Sequence, residues 1–411
     1  MRLFGNRPRW CEYLTNPESI KGLIHIGLLV MHSISDGASG NVRDSTLIGQ
    51  VYLVGGAIRD RLLGLPVSDR DWVVVGGSPA QLLQAGFRQA DAVFPVFLHP
   101  VSLEEYALAR RESNTAAGYR GFAVVCSPTI SLEDDLIRRD LTINALAEDA
   151  DGRLVDLFHG QRDLQARCLR HISPAFADDP VRLLRVARFA AKLGHLEFVV
   201  AQDTLDLMRQ MVDSLAAVQP VRVWHEMLKA LFYPQPWRFF EVLSDCGAWS
   251  AGLLTGTLDQ QAIVSVPSVA LAALRRVCAV TDDPVVRFAT FWLQCPAPAA
   301  LAAVLPKRYR VLLAQVQAAW PCLLSLSTGS VEAAQTFLHD LQAWHPQGRY
   351  VAVRQVLMAQ GVQLDVLDRL EHARAAAADV HADKLRAEGL SGAAIGQAIQ
   401  AARCAKIATV W

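Results

Sequence analysis

Asp69 and Asp71 stand two residues apart where a polar stretch enters the apolar run Trp72 to Val75. Extended backbone sends alternate side chains to opposite faces, so both carboxylates leave one face and Arg70 leaves the other. Like charges held this close repel unless a cation lies between them, and carboxylate oxygens suit a hard divalent ion such as Mg²⁺. Upstream, the β-formers Val51 to Val54 run straight into Gly55-Gly56. A residue without Cβ lets backbone N–H groups approach an anion at the start of the next helix, and Arg59, one turn into that helix, can reach the same anion. Each signal alone has a second reading: paired glycines after a strand also make a tight turn, and Asp-x-Asp at a strand start is also a solvated loop end.

The elements that must hold these residues read strand, glycine turn, short helix, strand, through VYLVGGAIRDRLLGLPVSDRDWVVVGG from Val51 to Gly77. In that order and spacing the stretch resembles the signature of the polymerase-β-type nucleotidyltransferases. Its wording is similar to that of the bacterial class II tRNA nucleotidyltransferases, the CCA-adding enzymes. The resemblance implies an α+β N-terminal head, a mixed sheet with helices, followed by an all-α neck, body and tail. It implies Mg²⁺ on Asp69 and Asp71, CTP and ATP as substrates, and tRNA held by its 3′ end and elbow, with Gly56 and Arg59 on the triphosphate.

Other strings carry the same resemblance. RRDLTINA, inside Leu132 to Ala147, is diagnostic of the family and implies that Arg139 contacts the incoming nucleotide; read alone, Arg139 is a surface arginine paired with a nearby carboxylate. Glu105, in the alternating stretch Glu104 to Arg110, is a candidate third catalytic carboxylate or a solvated strand glutamate. Residues 111–123 are polar and glycine-bearing and read as a mobile loop, which the family uses to add the terminal A. DLFHGQRDL, Asp156 to Leu164, matches the family's hinge pattern.

The second informative stretch is AFADDPVRLLRVARFAAKLG, Ala175 to Gly194. Pro180 suits the first turn of a helix, and Asp179 and Arg182, three apart, are expected on one face. A carboxylate only accepts and a guanidinium only donates. Cytosine and adenine each present an amino donor beside an unprotonated ring nitrogen, which matches this pair, whereas uracil and guanine present the reverse order. Mismatched buried polar groups cost several kcal/mol, roughly a hundredfold or more, so C and A are selected without a template. The resembled family carries Glu-Asp-x-x-Arg here with that role; this chain has Asp178 in place of the Glu. Arg185 and Arg188 continue the spacing and by resemblance meet sugar and phosphates, or else form basic surface on an amphipathic helix. Arg222 and Glu226, in VRVWHEMLKAL, read as a structural i, i+4 pair.

At 411 residues the chain has room for two or three domains. Its 52% hydrophobic and 19% charged residues exclude a disordered chain, and the 40 basic and 40 acidic residues leave any RNA affinity to local basic surface. Eight cysteines scattered singly, without C-x-x-C, read as reduced thiols of a cytoplasmic protein. The divisions are a segment of unknown role at 1–48, a head at 49–175, a neck at 176–250, and a helical tRNA-binding body and tail at 251–411. The apolar run Gly22 to Met31, which contains His25, imitates a signal-peptide core but falls short of the ~20 residues that cross a bilayer. Because the resembled family starts just before its first strand, residues 1–48 are expected to be an extension or a misassigned start, with Met31 one internal start.

Related chains place a phosphohydrolase in the body, keyed by a His-Asp pair after a V-R-F-A-T-like helix. Here VRFAT, Val286 to Thr290, is succeeded by Leu293 and Gln294 where that pair would stand, so this activity is expected to be absent. His339-Asp340 comes later and lacks further histidines at ligand spacing. The nearest rival reading is a poly(A) polymerase of the same superfamily, which typically carries a glycine-arginine-rich segment where this chain has FPVFLHP, Phe94 to Pro100. A catalytically dead RNA-binding protein is the rival from another class, and the intact Asp69, Asp71, Asp179 and Arg182 speak against it.

Overall fold

The computed structural model describes residues 49–90, 95–114, 122–249, 266–295, 299–323, 326, 329–382 and 391–411. The expected extension at 1–48, Phe94 and residues 115–121 of the expected loop lie outside the described residues.

The strand, turn, helix, strand order holds. Strand β1 is Gln50–Val54, a short helix spans Gly56–Leu62, and β2 is Asp71–Val75. Gly55 between them has φ +74°, a left-handed conformation that glycine adopts without strain, and its N–H donates to the Leu146 carbonyl at 3.0 Å. After β2 come β3 (Arg88–Gln89), β4 (Val96–Leu98) and β5 (Glu105–Leu108), then a separate antiparallel hairpin of β6 (Arg110–Asn114) and β7 (Phe122–Cys126). Strands β8 (Leu146–Glu148) and β9 (Leu154–Asp156) complete a seven-stranded sheet ordered β3-β4-β5-β2-β1-β8-β9. It is mixed: β1 runs antiparallel to β2 and β8, while β2 and β5 run parallel.

The period of two in β2 sorts its residues between two cores. Val73 packs with Val54, Leu136, Ala145 and Ala147 on one face, and Val74 packs with Leu82, Phe97 and Leu108 on the other. Asp71 falls on the side of Val73, toward the helix Leu132–Ile137 and the RRD segment behind it. That helix is capped by Ser131, whose hydroxyl accepts from the Asp134 N–H at 3.1 Å while the Asp134 carboxylate accepts from the Ser131 N–H at 3.0 Å. Glu133, Asp134 and Asp135 all lie in its first turn, and Asp134 closes this capping box.

Beyond the sheet the described chain is helical except for a short parallel ladder of β10 (Cys168–Leu169) and β11 (Val199–Val200), so the neck, expected to be all-α, carries one two-residue strand. The first neck helix, Val181–Leu193, packs against the second, Pro220–Leu231, and against Trp237–Asp245. Pro180 caps the first neck helix from outside instead of occupying its first turn. One apolar core runs on from the neck into the body, where Phe240 and Phe291 stack with ring centres 3.7 Å apart and Trp224 meets Tyr309 edge to face at 4.7 Å. Arg287 of VRFAT is a buried tie across this junction, donating to the carbonyls of Leu231 at 2.8 Å, Tyr233 at 3.2 Å and Thr281 at 3.0 Å. Leu293 packs on the core and Gln294 donates to the Gln360 side-chain oxygen at 2.8 Å. His339 and Asp340 end the helix Val331–Asp340 on the surface. No helix among the described residues is long and apolar enough to cross a membrane.

Gly160 of the expected hinge allows close approach. A Cβ there would lie 2.4 Å from the Thr142 carbonyl oxygen and 2.9 Å from the Leu146 side chain. Gly160→Ala should therefore cost about 1–3 kcal/mol by overpacking, read as a lower urea midpoint with an unchanged slope.

Candidate active site

Head, neck and the first turns of the body enclose a cavity of about 1840 Å³. Asp69, Asp71, Gly56, Arg59, Arg139, Asp179, Arg182, Arg185 and Arg188 all line it, so residues 132 apart in the chain face one space.

On the head side, Asp69 and Asp71 both face the cavity and Arg70 is not among its lining residues. Loss of hydration in the cleft raises the Asp71 carboxyl although its surface remains accessible; Arg139 opposes the rise and Asp69 adds to it. Glu105 is the register partner of Asp71 on β5 and is raised by desolvation, then by Asp71 and Asp69. It belongs to the same negative field without lining the cavity. No group of three or more His, Cys, Asp or Glu side chains closes tightly enough to hold a metal ion among the described residues. Mg²⁺ needs only one or two carboxylates when substrate phosphates and water complete its shell, so the oxygen-only Asp69 and Asp71 pair fits that ion.

The arginines divide into two kinds. Arg139 stands between Asp71 and the glycine turn: it bonds Asp135 at 3.1 Å, and a Cβ on Gly55 would come within 3.1 Å of its guanidinium. Its buried Nε has no hydrogen-bond partner among the described residues. Arg59, expected to reach out to an anion, is instead 3% exposed, bonded to Asp60 at 2.9 Å and to Asn144, with Phe189 beneath it at 5.1 Å. Its Nε and both terminal nitrogens have partners inside the protein, while the residue still forms part of the cavity wall. Arg188, expected at sugar and phosphates, is likewise buried against Glu226. Arg185 bonds Asp140 at 2.7 Å and keeps 39% of its side chain accessible.

These contacts form a closed network that the sequence reading missed. Asn144 donates to Asp140 at 2.8 Å, Arg185 takes the other Asp140 oxygen, and Lys192 donates to Asp60 at 2.7 Å. Arg59 and Asp60 connect the two ends through Asn144. Arg185 and Lys192 are seven residues apart on the neck helix, hence on one face, and Asp140 and Asn144 are four apart. That spacing is the signal that could have been read. Burial pushes the Asp140 carboxyl up, but Arg185 and the Asn144 hydrogen bond hold it far below the usual carboxylate range.

On the neck side, Asp179 precedes the helix, in extended backbone, so the expectation that Asp179 and Arg182 share a helix face does not hold. A turn brings them together instead, with the Arg182 N–H donating to the Asp179 carbonyl at 3.0 Å. The Arg182 side chain donates to the Ala175 carbonyl. Asp179 accepts from the Val181 N–H at 3.0 Å and from Arg222 at 3.1 Å. Arg222 and Glu226, expected to be structural, each link to the other side of the neck, Arg222 to Asp179 and Glu226 to Arg188.

Residues 51–170 match the family model of the poly A polymerase head domain, and residues 197–251 match that of a probable RNA and SrmB-binding site of polymerase A. The solved CCA-adding enzyme of Bacillus stearothermophilus in complex with CTP superposes with a TM-score of 0.61 at 21% identity, covering 87% of this chain and 89% of that one. That of Thermotoga maritima, complexed with tRNA, gives 0.63 at 21%, covering 87% of each. The fold is that of the CCA-adding enzymes. The multifunctional CCA proteins of Thioalkalivibrio sulfidiphilus and Methylococcus capsulatus are 61% and 62% identical over 201 residues, 48% of this chain and 49% and 47% of theirs. The chain therefore spans about half the length of the curated relatives it matches. Head and neck meet through the ion pairs of Asp140 with Arg185 and of Asp60 with Lys192, and through one apolar core that holds Ala57, Ile58 and Leu146 of the head with Leu184 and Phe189 of the neck.

Burial pushes the Glu226 carboxyl up, and the charges of Arg188, Arg185 and Lys229 outweigh it, so the folded-state value is lowered. Its contribution is full above the ordinary glutamate value and is lost as pH falls through the lowered one. Glu226→Gln strands the Arg188 charge and should cost about 3–5 kcal/mol at pH 7. In urea unfolding at several pH values, the gap to the natural protein should narrow at acid pH.

Proposed function

We propose that this chain adds C, C and A to the 3′ end of tRNA, using CTP and ATP, releasing pyrophosphate and needing no nucleic-acid template. The supporting observation is that one cavity is lined both by the carboxylate pair Asp69 and Asp71 and by the acid and guanidinium of Asp179 and Arg182. Chemistry and base choice then share one space. The identity to multifunctional CCA proteins over 201 residues agrees with this.

In this reading the tRNA 3′-hydroxyl attacks the α-phosphate in line and the bond to the β-phosphate breaks. Asp69 and Asp71 would hold Mg²⁺, which would supply a lowered hydroxyl pKa and neutralise charge on the attacked and leaving oxygens. Glu105 adds to the negative field behind them. Gly56 leaves room over the turn for the triphosphate, since a Cβ there would meet only Arg59, at 3.5 Å. Arg139 and the accessible edge of Arg185 take phosphate and sugar oxygens, and Arg59 and Arg188 keep the wall rigid. Asp179 and Arg182 read the base, and Asp178 in place of the family's Glu leaves that reading intact. The divisions 49–175, 176–250 and 251–411 act as head, neck, and body with tail, the last holding the tRNA elbow by shape and phosphate contacts. Singly scattered thiols, without a paired framework, support a cytoplasmic setting.

A labelled tRNA lacking its 3′ end, given single nucleotides in turn, should accept two C residues and then one A. RNA ending in C-C with ATP alone should gain one A, and a long tail would favour the poly(A) polymerase reading. Asp69→Ala should abolish every addition, a fall of at least roughly a thousandfold, while tRNA binding in a filter assay persists.

We propose also that the body has lost the accessory phosphohydrolase, because Leu293 packs on the core and Gln294 bonds Gln360 where His and Asp would serve. A generic phosphomonoester with added divalent metal should release no phosphate above background. Release abolished by His339→Ala would overturn this.

A further inference from the structure

The two neck helices are tied by two ion pairs of opposite sense. Glu226 of the second helix takes Arg188 of the first, deep in the protein, with both side chains 9% exposed. Arg222, one turn earlier on the second helix, takes Asp179 just before the first, and there the side chains are 26% and 21% exposed. Arg222, Asp179 and Arg182 all line the cavity. The inner tie therefore serves the fold, while the outer one ends at the residue that reads the base.

Asp179 has two anchors on different oxygens. Oδ1 accepts from the Val181 N–H at 3.0 Å, and Oδ2 accepts from Arg222 at 3.1 Å. The Val181 bond is local and by itself leaves the carboxylate free to twist about its Cβ–Cγ bond. The Arg222 bond comes from another helix, 43 residues on in the chain, and fixes that twist. Each oxygen keeps a second lone pair, so a nucleobase amine still finds an acceptor.

The geometry points to Arg222 as a positioning residue for base selection, acting through Asp179. This rests on the proposed reading of the cavity as a nucleotide-selecting site. Selection of C and A over U and G needs an acceptor that cannot turn away when a carbonyl is presented in place of an amine. A carboxylate held at one oxygen relieves that repulsion by twisting, or by admitting a water that donates both ways, and the penalty against the wrong base is then lost. Arg222 holds the carboxylate with a charge-assisted bond from a planar fork, which a lysine ammonium reproduces only as a point charge.

The test uses the full chain and a tRNA lacking its last three nucleotides, with kcat/KM measured for CTP and for UTP. Arg222→Met keeps the apolar stem and removes the donors; Arg222→Lys keeps the charge. The methionine variant should lower the CTP over UTP ratio roughly tenfold or more, mainly through faster UTP addition, with the lysine variant in between. If the methionine variant melts far below the natural protein, Arg222→Gln takes its place and must show the same fall. Equal losses for CTP and UTP, with the ratio unchanged, would overturn the inference and leave Arg222 as a fold contact only. A natural protein that adds neither nucleotide overturns the underlying reading instead, before any variant is compared.

Discussion

Charge buried between head and neck is the constraint on which the rest of this molecule depends. Asp140 is 4% exposed and Asp60 is 6% exposed, and carboxylates so placed are tolerable only if cations meet them. The cations come from the neck helix, as Arg185 and Lys192, so the helix can dock in one register and at one rotation. Hydrophobic packing alone would permit small slides, whereas two ion pairs two turns apart do not. With the neck docked this way, the Asp179 turn lines the same cavity as Asp69 and Asp71.

The same requirement explains how arginines are apportioned. Six line the cavity from the helix after the glycine turn, the RRD segment and the first neck helix, and only those not needed inside are available to an anion. Arg59 and Arg188 are consumed by Asp60, Asn144 and Glu226, while Arg139 and Arg185 keep accessible edges. A cavity lined with this many guanidiniums would repel itself without such internal pairing. The inner layer of the wall is neutralised within the protein, and its outer layer keeps a positive field.

The body shows what packing by itself asks of the VRFAT segment. VRFAT still forms a helix, Pro284–Trp292, buried along its length, and Arg287 still ties neck to body. Immediately beyond this helix, Leu293 packs against the apolar core and Gln294 forms an amide pair with Gln360. The helix has a structural reason to remain that is independent of any metal site.

Local chemistry was legible along the chain. Val51 to Val54 before Gly55, and Asp71 before Val73 and Val75, specify strand, turn and strand, because side-chain alternation and the left-handed freedom of glycine act within a few residues. The same locality made Asp69 and Asp71 readable as a pair. The buried partners of Arg59 and Arg188 were not legible, Asp179 was placed on a helix it only precedes, and the link from Arg222 to Asp179 was not read. For the arginines the deciding partners include groups on other elements, tens of residues away, and an arginine's reach is the same whether its target is a phosphate or a buried carboxylate. Which groups carry charge, and which segments are strand or helix, can be read along the chain because both follow from residue type and short-range period. Which charges are spent on one another emerges from the folded packing, because that depends on which elements are pressed together and how much water remains between them.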